Sequence, residues 1–237
     1  MTALPAPAAP ASEPTLVGVA GVVLEAFPDG ILWWAERRML VVADLHLEKG
    51  SSYARRGQFL PPYDTGETLC RLARAVARLD PGVIVALGDS FHDDGGAGRL
   101  LPDDRATLRA LQRGRDFIWI AGNHDPGRPA NLDGDHVAEL AAGPVTFRHA
   151  PRAGAHGEIA GHLHPSARVA GRGRAVRRKC FAGDGHRLIL PAFGAYAGGL
   201  NVLDRAFDGL FARATCRAFV AGAERLYAVG PRALRRD

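Results

Sequence analysis

Four short patterns in the 237-residue sequence combine aspartate, asparagine and histidine at close spacing. They are Asp44-x-His46, Gly88-Asp89, Gly122-Asn123-His124-Asp125 and Gly161-His162-Leu163-His164. Any one of them alone is compatible with a surface turn that carries a solvated histidine. Each follows an apolar run of the kind that forms strands, and their coincidence in one chain therefore predicts side chains that converge on a single crevice.

These residue types are ligands of divalent cations. Imidazole nitrogens and carboxylate or amide oxygens bind Mn, Fe, Co or Zn. Two cations held close together need several such ligands, including at least one carboxylate that contacts both. The four patterns supply a set of this kind and predict a binuclear metal centre.

The spacing within the patterns has a geometrical consequence. In an extended segment alternate side chains point the same way. Each Asp-x-His or His-x-His pair is then expected to face one metal cluster, with the intervening Leu45 and Leu163 pointing into the core. Gly88, Gly122 and Gly161 precede ligand residues, where the missing Cβ permits unusual dihedrals and close backbone approach.

Hydrophobic periodicity predicts the elements that position these residues. Residues 16–27 and 31–46 are β-rich and flank a turn at Pro28-Asp29-Gly30, which indicates a hairpin. Asp64 as an N-cap, with Glu67 three residues later, predicts a helix that continues to residue 79. Further elements are predicted as a buried strand at 83–88, a helix at 103–112 and a buried strand at 117–122.

The second half of the chain changes character. Short β-like runs replace helical periodicity, at residues 145–149, 158–162, 167–171, 175–181, 187–191 and 200–204. They predict a second sheet packed on the first, in an α/β (α+β) fold that forms one layered domain at 16–237. Residues 1–15, rich in alanine and proline, are expected to be a flexible tail.

Composition narrows the class of protein. Hydrophobic residues make up 47% of the chain and charged residues 23%, with no run long enough to span a bilayer, so a membrane-embedded role is not expected. Three scattered cysteines, Cys70, Cys180 and Cys216, exclude a disulfide framework and favour a reducing cytoplasm. The formal charge of +5 weakly favours an anionic partner such as nucleic acid.

The four patterns resemble the signature of the calcineurin-like metallophosphoesterase superfamily over about Val41 to Pro165. The resemblance implies a two-sheet β-sandwich flanked by helices and a metal-dependent hydrolase with two divalent ions. It assigns one metal to Asp44, His46, Asp89 and His164, and the other to Asp89, Asn123, His149 and His162. It places His124 at the scissile phosphate as a catalytic group and Asp125 as the residue that orients the His124 imidazole.

The superfamily also requires one lone histidine between the Asn-His and His-x-His patterns, for which the chain offers three candidates. His149 is favoured because it closes an apolar strand, whereas His136 lies in an Asp/Gly-rich stretch expected to begin a helix and His156 lies in a turn. His92 stands where many members carry a second aspartate after Gly-Asp, and Asp93 follows one residue late. This departure leaves a substrate contact by His92 open.

A narrower resemblance rests on the segments DLHLEKGSSYARRGQFLPPYDTGETL, GDSFHD, GHLHP, KCF and LPAFGAYAGGLNVL. They are similar to a bacterial subgroup, the ligase-associated DNA-damage-response endonucleases. The subgroup implies Mn²⁺-dependent cleavage of DNA phosphodiesters in DNA repair, on single-stranded or damaged DNA, together with a DNA helicase and a DNA ligase. The alternatives are a phosphomonoesterase or nucleotide hydrolase with the same metal site, and a non-catalytic partner module of a repair assembly.

Basic residues near the patterns are candidates for phosphate contacts. Lys49, Arg55 and Arg56 follow the first pattern closely. A predicted basic hairpin follows the last pattern and contains Arg168, Arg172, Arg174, Arg177, Arg178 and Lys179. The alternative for both groups is a solvated charged surface.

Overall fold

The computed structural model describes residues 13–129, 131–170, 175–212 and 214–237, which form two β-sheets and four α-helices. The first sheet contains seven strands in chain order: β1 Thr15–Val19, β2 Val22–Ala26, β3 Leu32–Trp34, β4 Met39–Val42, β5 Val83–Leu87, β6 Asp116–Ile120 and β7 Asp135–Val137. Strands β1 to β4 are antiparallel, and β4 to β7 are parallel. The predicted hairpin around Pro28-Asp29-Gly30 is confirmed as the β2–β3 connection.

The helices belong to the half of the described chain that builds this sheet. They are α1 Lys49–Ala54, α2 Asp64–Leu79, α3 Gly96–Arg99 and α4 Pro102–Gln112. Helix α2 begins one residue earlier than predicted, with Tyr63 as its N-cap. The predicted N-cap role of Asp64 is wrong, because its carboxylate accepts a hydrogen bond from the backbone amide of Gly50 at 2.9 Å.

The second sheet contains ten strands. They are β8 Glu139–Ala142, β9 Val145–Arg148, β10 Glu158–Ala160, β11 Pro165–Ala170, β12 Ala175–Gly183, β13 Arg187–Ile189, β14 Leu200–Asn201, β15 Arg217–Ala221, β16 Leu226–Val229 and β17 Leu234–Arg235. The main order is β14-β11-β12-β13-β10-β9-β8, with β15 paired to β12 and β16, and β17 paired to β11. All six predicted strands of this half are confirmed. Strand β7 contradicts the helix start expected around His136.

The two sheets pack face to face, and the alternation of side chains in each strand divides the core into layers. Leu40 and Ile84 point to the side of the first sheet that packs against α2 and α4. Their neighbours Val41 and Val85 point the other way and pack against residues of the second sheet such as Phe147. The predicted two-sheet sandwich with helices is confirmed. Among the described residues, every helix lacks the length and apolar character needed to span a bilayer.

A buried ion network ties together the strands of the second sheet that lead to the site. Glu158, at 0% exposure, lies 2.7 Å from Nε of Arg187 and 2.7 Å from Nη1 of Arg148. It also accepts a hydrogen bond from the amide of Arg152 at 2.9 Å. Because a buried carboxylate needs such partners, the network holds β9, β10 and β13 in register.

Candidate metal centre

The predicted ligands all follow the carboxyl ends of strands. Strands β4, β5 and β6 are parallel neighbours in the first sheet, and β9 and β10 are parallel neighbours in the second. Their ends therefore meet along one edge of the sandwich. The residues that follow these ends are Asp44 and His46, then Asp89, then Asn123 and His124, then His149, and finally His162 and His164.

The backbone at these residues is not extended, and the expectation of alternating extended pairs is wrong. Five of them have positive φ angles, between 43° and 68°: Asp44, His46, Asp89, His162 and His164. Residues other than glycine seldom adopt this left-handed conformation, at a cost of about 1 kcal/mol or more each, and it clusters at functional sites. The chain thus turns sharply at each ligand pattern.

Backbone hydrogen bonds between the strand ends hold these turns. The amide of His46 donates to the carbonyl of Asp89 at 2.9 Å, which links the ends of β4 and β5. The amide of His162 donates to the Asp44 carboxylate at 3.0 Å, which links the two sheets. The turns at His46 and His162 are therefore stabilised by residues distant in the sequence.

The glycines of the patterns allow the close approach that was predicted for them. A Cβ on Gly88 would overlap the His149 imidazole, and one on Gly122 would overlap Asp89. A Cβ on Gly161 would lie 2.6 Å from an oxygen of Asp44. Only Gly88 also needs a positive φ, so close packing around the ligands is the shared reason for these glycines.

Two groups of ligand atoms gather at this edge. Among the described residues, Asp44, His46 and His164 form one group, and Asp89, His149 and His162 form the other, with the ligand atoms of each group within 4.8 Å of one another. Oδ1 of Asp44 lies 3.7 Å from Nδ1 of His149, so the groups adjoin. The structure brings His149 into this set and places neither His136 nor His156 there.

The donor atoms of the second group suit a cation. Nδ1 of His149 donates a hydrogen bond to the carbonyl of Leu87 at 3.0 Å. Its Nε2 then faces three other atoms that can act as ligands: Oδ1 of Asn123 at 2.8 Å, Nδ1 of His162 at 3.1 Å and Oδ1 of Asp89 at 3.4 Å. Atoms that converge at these distances are suited to share a cation.

The first group has the same character. Nε2 of His164 lies 3.3 Å from Nε2 of His46 and 3.3 Å from Oδ1 of Asp44. Burial, together with the neighbouring His164, lowers the pKa of His46 to about 3. The His46 imidazole is therefore neutral at physiological pH, with a lone pair available to a metal ion.

The electrostatics of the second group differ because His149 lies close to two carboxylates, those of Asp89 and Asp44. Burial lowers the pKa of His149, but the hydrogen bond that it donates to the Asp89 carboxylate and the charge of Asp44 outweigh this effect, so the pKa is raised overall. Burial also opposes ionisation of Asp89, yet its hydrogen bonds with His149 and the His124 amide hold its pKa well below the usual value. The residues present fit divalent cations, which would replace the proton that His149 otherwise attracts.

Comparison with known proteins agrees with this geometry. A family model for calcineurin-like phosphoesterases matches residues 37–194. The chain belongs to this family. The crystal structure of the nuclease MPE from Pseudomonas putida is similar over 92% of this chain and 100% of that chain, at 31% sequence identity and a TM-score of 0.70. Among curated protein sequences, none matches.

The predicted superfamily is thereby confirmed, and the likeness to the P. putida nuclease supports the predicted subgroup. The protein is a metal-dependent phosphoesterase, which removes the alternative of a non-catalytic module. The family uses divalent metals, and the two donor groups are where this phosphoesterase can hold them.

His124 lies at the rim of the phosphoesterase site, with its side chain 40% exposed. Its Nδ1 lies 3.0 Å from the backbone carbonyl of His92, and its Nε2 lies 3.9 Å from Oδ2 of Asp89. The prediction that Asp125 orients this imidazole is wrong, because the buried Asp125 carboxylate accepts a hydrogen bond from the amide of Phe91 at 3.0 Å. Asp125 thus fixes the loop after β5, and the His92 carbonyl orients His124.

His92 itself packs among aromatic rings. Its ring stacks on His124 at 5.2 Å and lies 5.5 Å from the ring of Tyr53, both measured between centroids. Sequence analysis missed Tyr53, although it follows Lys49 by one helical turn of α1 and thus shares its face. Nζ of Lys49 donates to the carbonyl of Tyr196 at 3.0 Å.

The other predicted phosphate contacts have different surroundings. Arg55 and Arg56 are exposed just after α1. Arg177 is exposed on β12 and donates to the carbonyl of Gly199, close to His164. Arg172 and Arg174 lie outside the described residues.

Lys179 stabilises the backbone beneath the site and does not form part of the charged surface around it. Its Nζ donates to the carbonyls of Ala192, at 2.7 Å, and Gly194, at 3.2 Å. Arg71 donates to the carbonyl of Phe193 between them, at 2.9 Å. Burial and the nearby Arg71 lower the pKa of Lys179 to about 8.

This supported segment is bound directly to the first ligand pattern. The amide of Phe193 donates to the carbonyl of Ala43 at 2.8 Å, and the amide of Gly194 donates to that of Asp44 at 3.1 Å. Lys179 and Arg71 therefore hold the strip of backbone against which Asp44 is placed. No local pattern in the sequence indicates this role.

Replacement of Lys179 by methionine tests that support. Lys179→Met keeps the length of the side chain but leaves two buried carbonyls without their donor, and we expect the free energy of unfolding to fall by about 1–3 kcal/mol. Arg178→Met, at the exposed neighbouring position, is the matched control and should change it by less than about 0.5 kcal/mol. Urea unfolding of both variants measures the difference. Equal losses would contradict the assigned role.

Proposed function

We propose that this phosphoesterase is a binuclear phosphodiesterase that cleaves DNA, with Mn²⁺ as its favoured cation. The observation that carries the proposal is the adjoining pair of donor groups, each with two imidazoles and a carboxylate. One cation would be held by Asp44, His46, Asp89 and His164. The other would be held by Asp89, Asn123, His149 and His162, so that Asp89 is shared.

Bound at these residues, two divalent cations supply Lewis-acid polarisation of the phosphoester and lower the pKa of the attacking water. The mixed nitrogen and oxygen donors accept Mn²⁺, and also Fe, Zn or Co. The preference for Mn²⁺ rests on the resemblance to the nuclease subgroup.

His124 is proposed as the residue that contacts the scissile phosphate. The His92 carbonyl accepts the hydrogen bond of Nδ1, so Nε2 is the atom left to face the substrate. From there it stabilises the charge that develops on the phosphate or protonates the departing oxygen. Asp89 supports this arrangement by accepting the backbone amide hydrogen of His124 at 2.9 Å.

DNA is favoured as substrate by the charge around the site and by the likeness to a nuclease. Basic side chains near the donor groups are suited to bind the phosphates that flank the cleaved bond. They are Lys49, Arg55, Arg56 and Arg177. His92, beside His124, is a further candidate contact. The subgroup resemblance extends the proposal to single-stranded or damaged DNA in repair, with a helicase and a ligase as partners.

The test compares three substrates after removal of bound metal and addition of Mn²⁺. They are bis-p-nitrophenyl phosphate, p-nitrophenyl phosphate and circular single-stranded DNA, with Asp89→Ala protein as the inactive control. We expect hydrolysis of the bis-ester and linearisation of the circle. Activity on the monoester alone would replace this proposal with a phosphomonoesterase or nucleotide hydrolase.

A further inference from the structure

An aromatic side chain on the segment that follows α1 is almost fully exposed to solvent. Phe59, between α1 and α2, is 85% exposed, and Tyr63 at the end of the same segment is 71% exposed. The core of this protein has room for large aromatic rings, as the buried Trp119 and Phe193 show. Exposed aromatic rings beside a binding site are characteristic of surfaces that contact a ligand.

The segment that carries Phe59 is held at both ends. At its start, the amide of Gln58 donates to the carbonyl of Tyr53 at 3.0 Å, which folds the chain back so that Phe59 follows directly beside α1. At its end, the amide of Gly50 donates to the carboxylate of Asp64 at 2.9 Å. The exposed ring is thus presented on a fixed support.

Contacts between rings connect this support to the catalytic rim. Tyr53, whose carbonyl anchors the segment, has its ring 5.5 Å from that of His92. His92 in turn stacks on His124 at 5.2 Å. Phe59 thus belongs to a segment whose anchor residue, Tyr53, contacts the rim of the site.

The charges on the two sides of Phe59 differ. Arg55 and Arg56, which precede Phe59, are exposed and line a cleft together with Asp93 and Asp94. Asp93 forms an ion pair with Arg99 at 2.8 Å, so its charge is compensated.

Tyr63 has acidic surroundings instead. The surface cleft that it lines also contains Glu67, Asp103 and Asp104. Such a surface repels phosphates, whereas the arginine side attracts them. The difference indicates a path for a polyanion past Phe59 and Arg56 and not past Tyr63.

We infer that Phe59 stacks on an unpaired base of the DNA strand close to the scissile phosphate, while Arg55 and Arg56 contact the backbone. The inference rests on the proposed DNA phosphodiesterase function. Stacking on a protein ring requires a base that is free of its neighbours, so this contact selects single-stranded over duplex substrate. Phe59 is a specificity residue and takes no part in bond cleavage.

The experiment compares a substrate that has bases with one that has none. The Mn²⁺-loaded full chain is assayed on a fluorescein-labelled single-stranded oligonucleotide and on bis-p-nitrophenyl phosphate, and the ratio of the two kcat/KM values is determined. In Phe59→Ala this ratio should fall about tenfold. It should be restored by Phe59→Trp and unchanged in Tyr63→Ala, the matched exposed aromatic.

Binding of the same strand and of its duplex, followed by fluorescence anisotropy, separates this inference from the proposed function. If the wild type cleaves the strand and Phe59→Ala leaves the ratio unchanged, or lowers it no more than Tyr63→Ala does, stacking is refuted and DNA cleavage stands. An equal loss of duplex binding would also refute it. If Phe59→Ala weakens binding of the single strand alone while the wild type cleaves no DNA, the stacking stands and the proposed cleavage fails.

Discussion

Asp89→Ala is expected to abolish phosphoester hydrolysis, with a fall in kcat/KM on the order of a thousandfold or more. Asp89 is the carboxylate proposed to contact both cations, and loss of several kcal/mol of transition-state stabilisation corresponds to this factor. Its side chain also accepts the His124 amide hydrogen at 2.9 Å and lies 3.4 Å from Nε2 of His149. Hydrolysis of the bis-ester and the metal content of each chain, measured by mass spectrometry, give the result.

Two further variants separate the roles of Asp89. Asp89→Asn keeps an oxygen that can accept the His124 amide but removes the negative charge, so it should also lose metal while remaining folded. Asp94→Ala, which removes an exposed aspartate from the same loop, should retain metal and activity. Full metal content in Asp89→Ala would contradict the proposal that Asp89 is a shared ligand.

His124→Ala is expected to slow phosphodiester cleavage by about a hundredfold or more while metal content stays close to that of the wild type. The reason is positional. The His124 ring is exposed at the rim and held through Nδ1 by the His92 carbonyl, outside both groups of ligand atoms. The measurement is single-turnover cleavage of an oligonucleotide, beside metal analysis of the same preparation.

The matched control for this variant is His156→Ala. His156 is exposed in the loop before β10 and contacts the ring of His186, away from the donor groups. It should cleave at the wild-type rate, which would also remove it as an alternative to His149. A His124→Ala protein with unchanged cleavage would leave this histidine without a catalytic role, and one that lost its metal would instead be lacking a ligand.

Much of the fold followed from local patterns in the sequence. The buried strands β5 and β6, the helix α4 and the hairpin at Pro28-Asp29-Gly30 were predicted because each has a short-range signal in its periodicity or turn residues. Strand β7 was missed. Its Asp/Gly-rich neighbourhood resembles a helix start, whereas its parallel pairing with β6 depends on residues distant in sequence.

For the candidate site, too, the sequence predicted some features and not others. The sequence by itself determined which residues gather there, because ligand chemistry depends on residue type and on a position just after a buried strand. It also indicated that Gly88, Gly122 and Gly161, which precede ligand residues, permit close backbone approach. Among three histidines it selected His149, the one that the structure places beside Asp89.

Only the tertiary structure decided how these residues are held. The left-handed backbone at His46 and His162 depends on hydrogen bonds from the opposite strand end or sheet, and the orientation of His124 depends on the His92 carbonyl. Lys179 is linked to Asp44 through the backbone of residues 192–194. Such contacts join residues far apart in the chain, so neither motif spacing nor hydrophobic periodicity predicts them. The sequence therefore indicated the chemistry of the site residues but not the contacts that hold these residues in place.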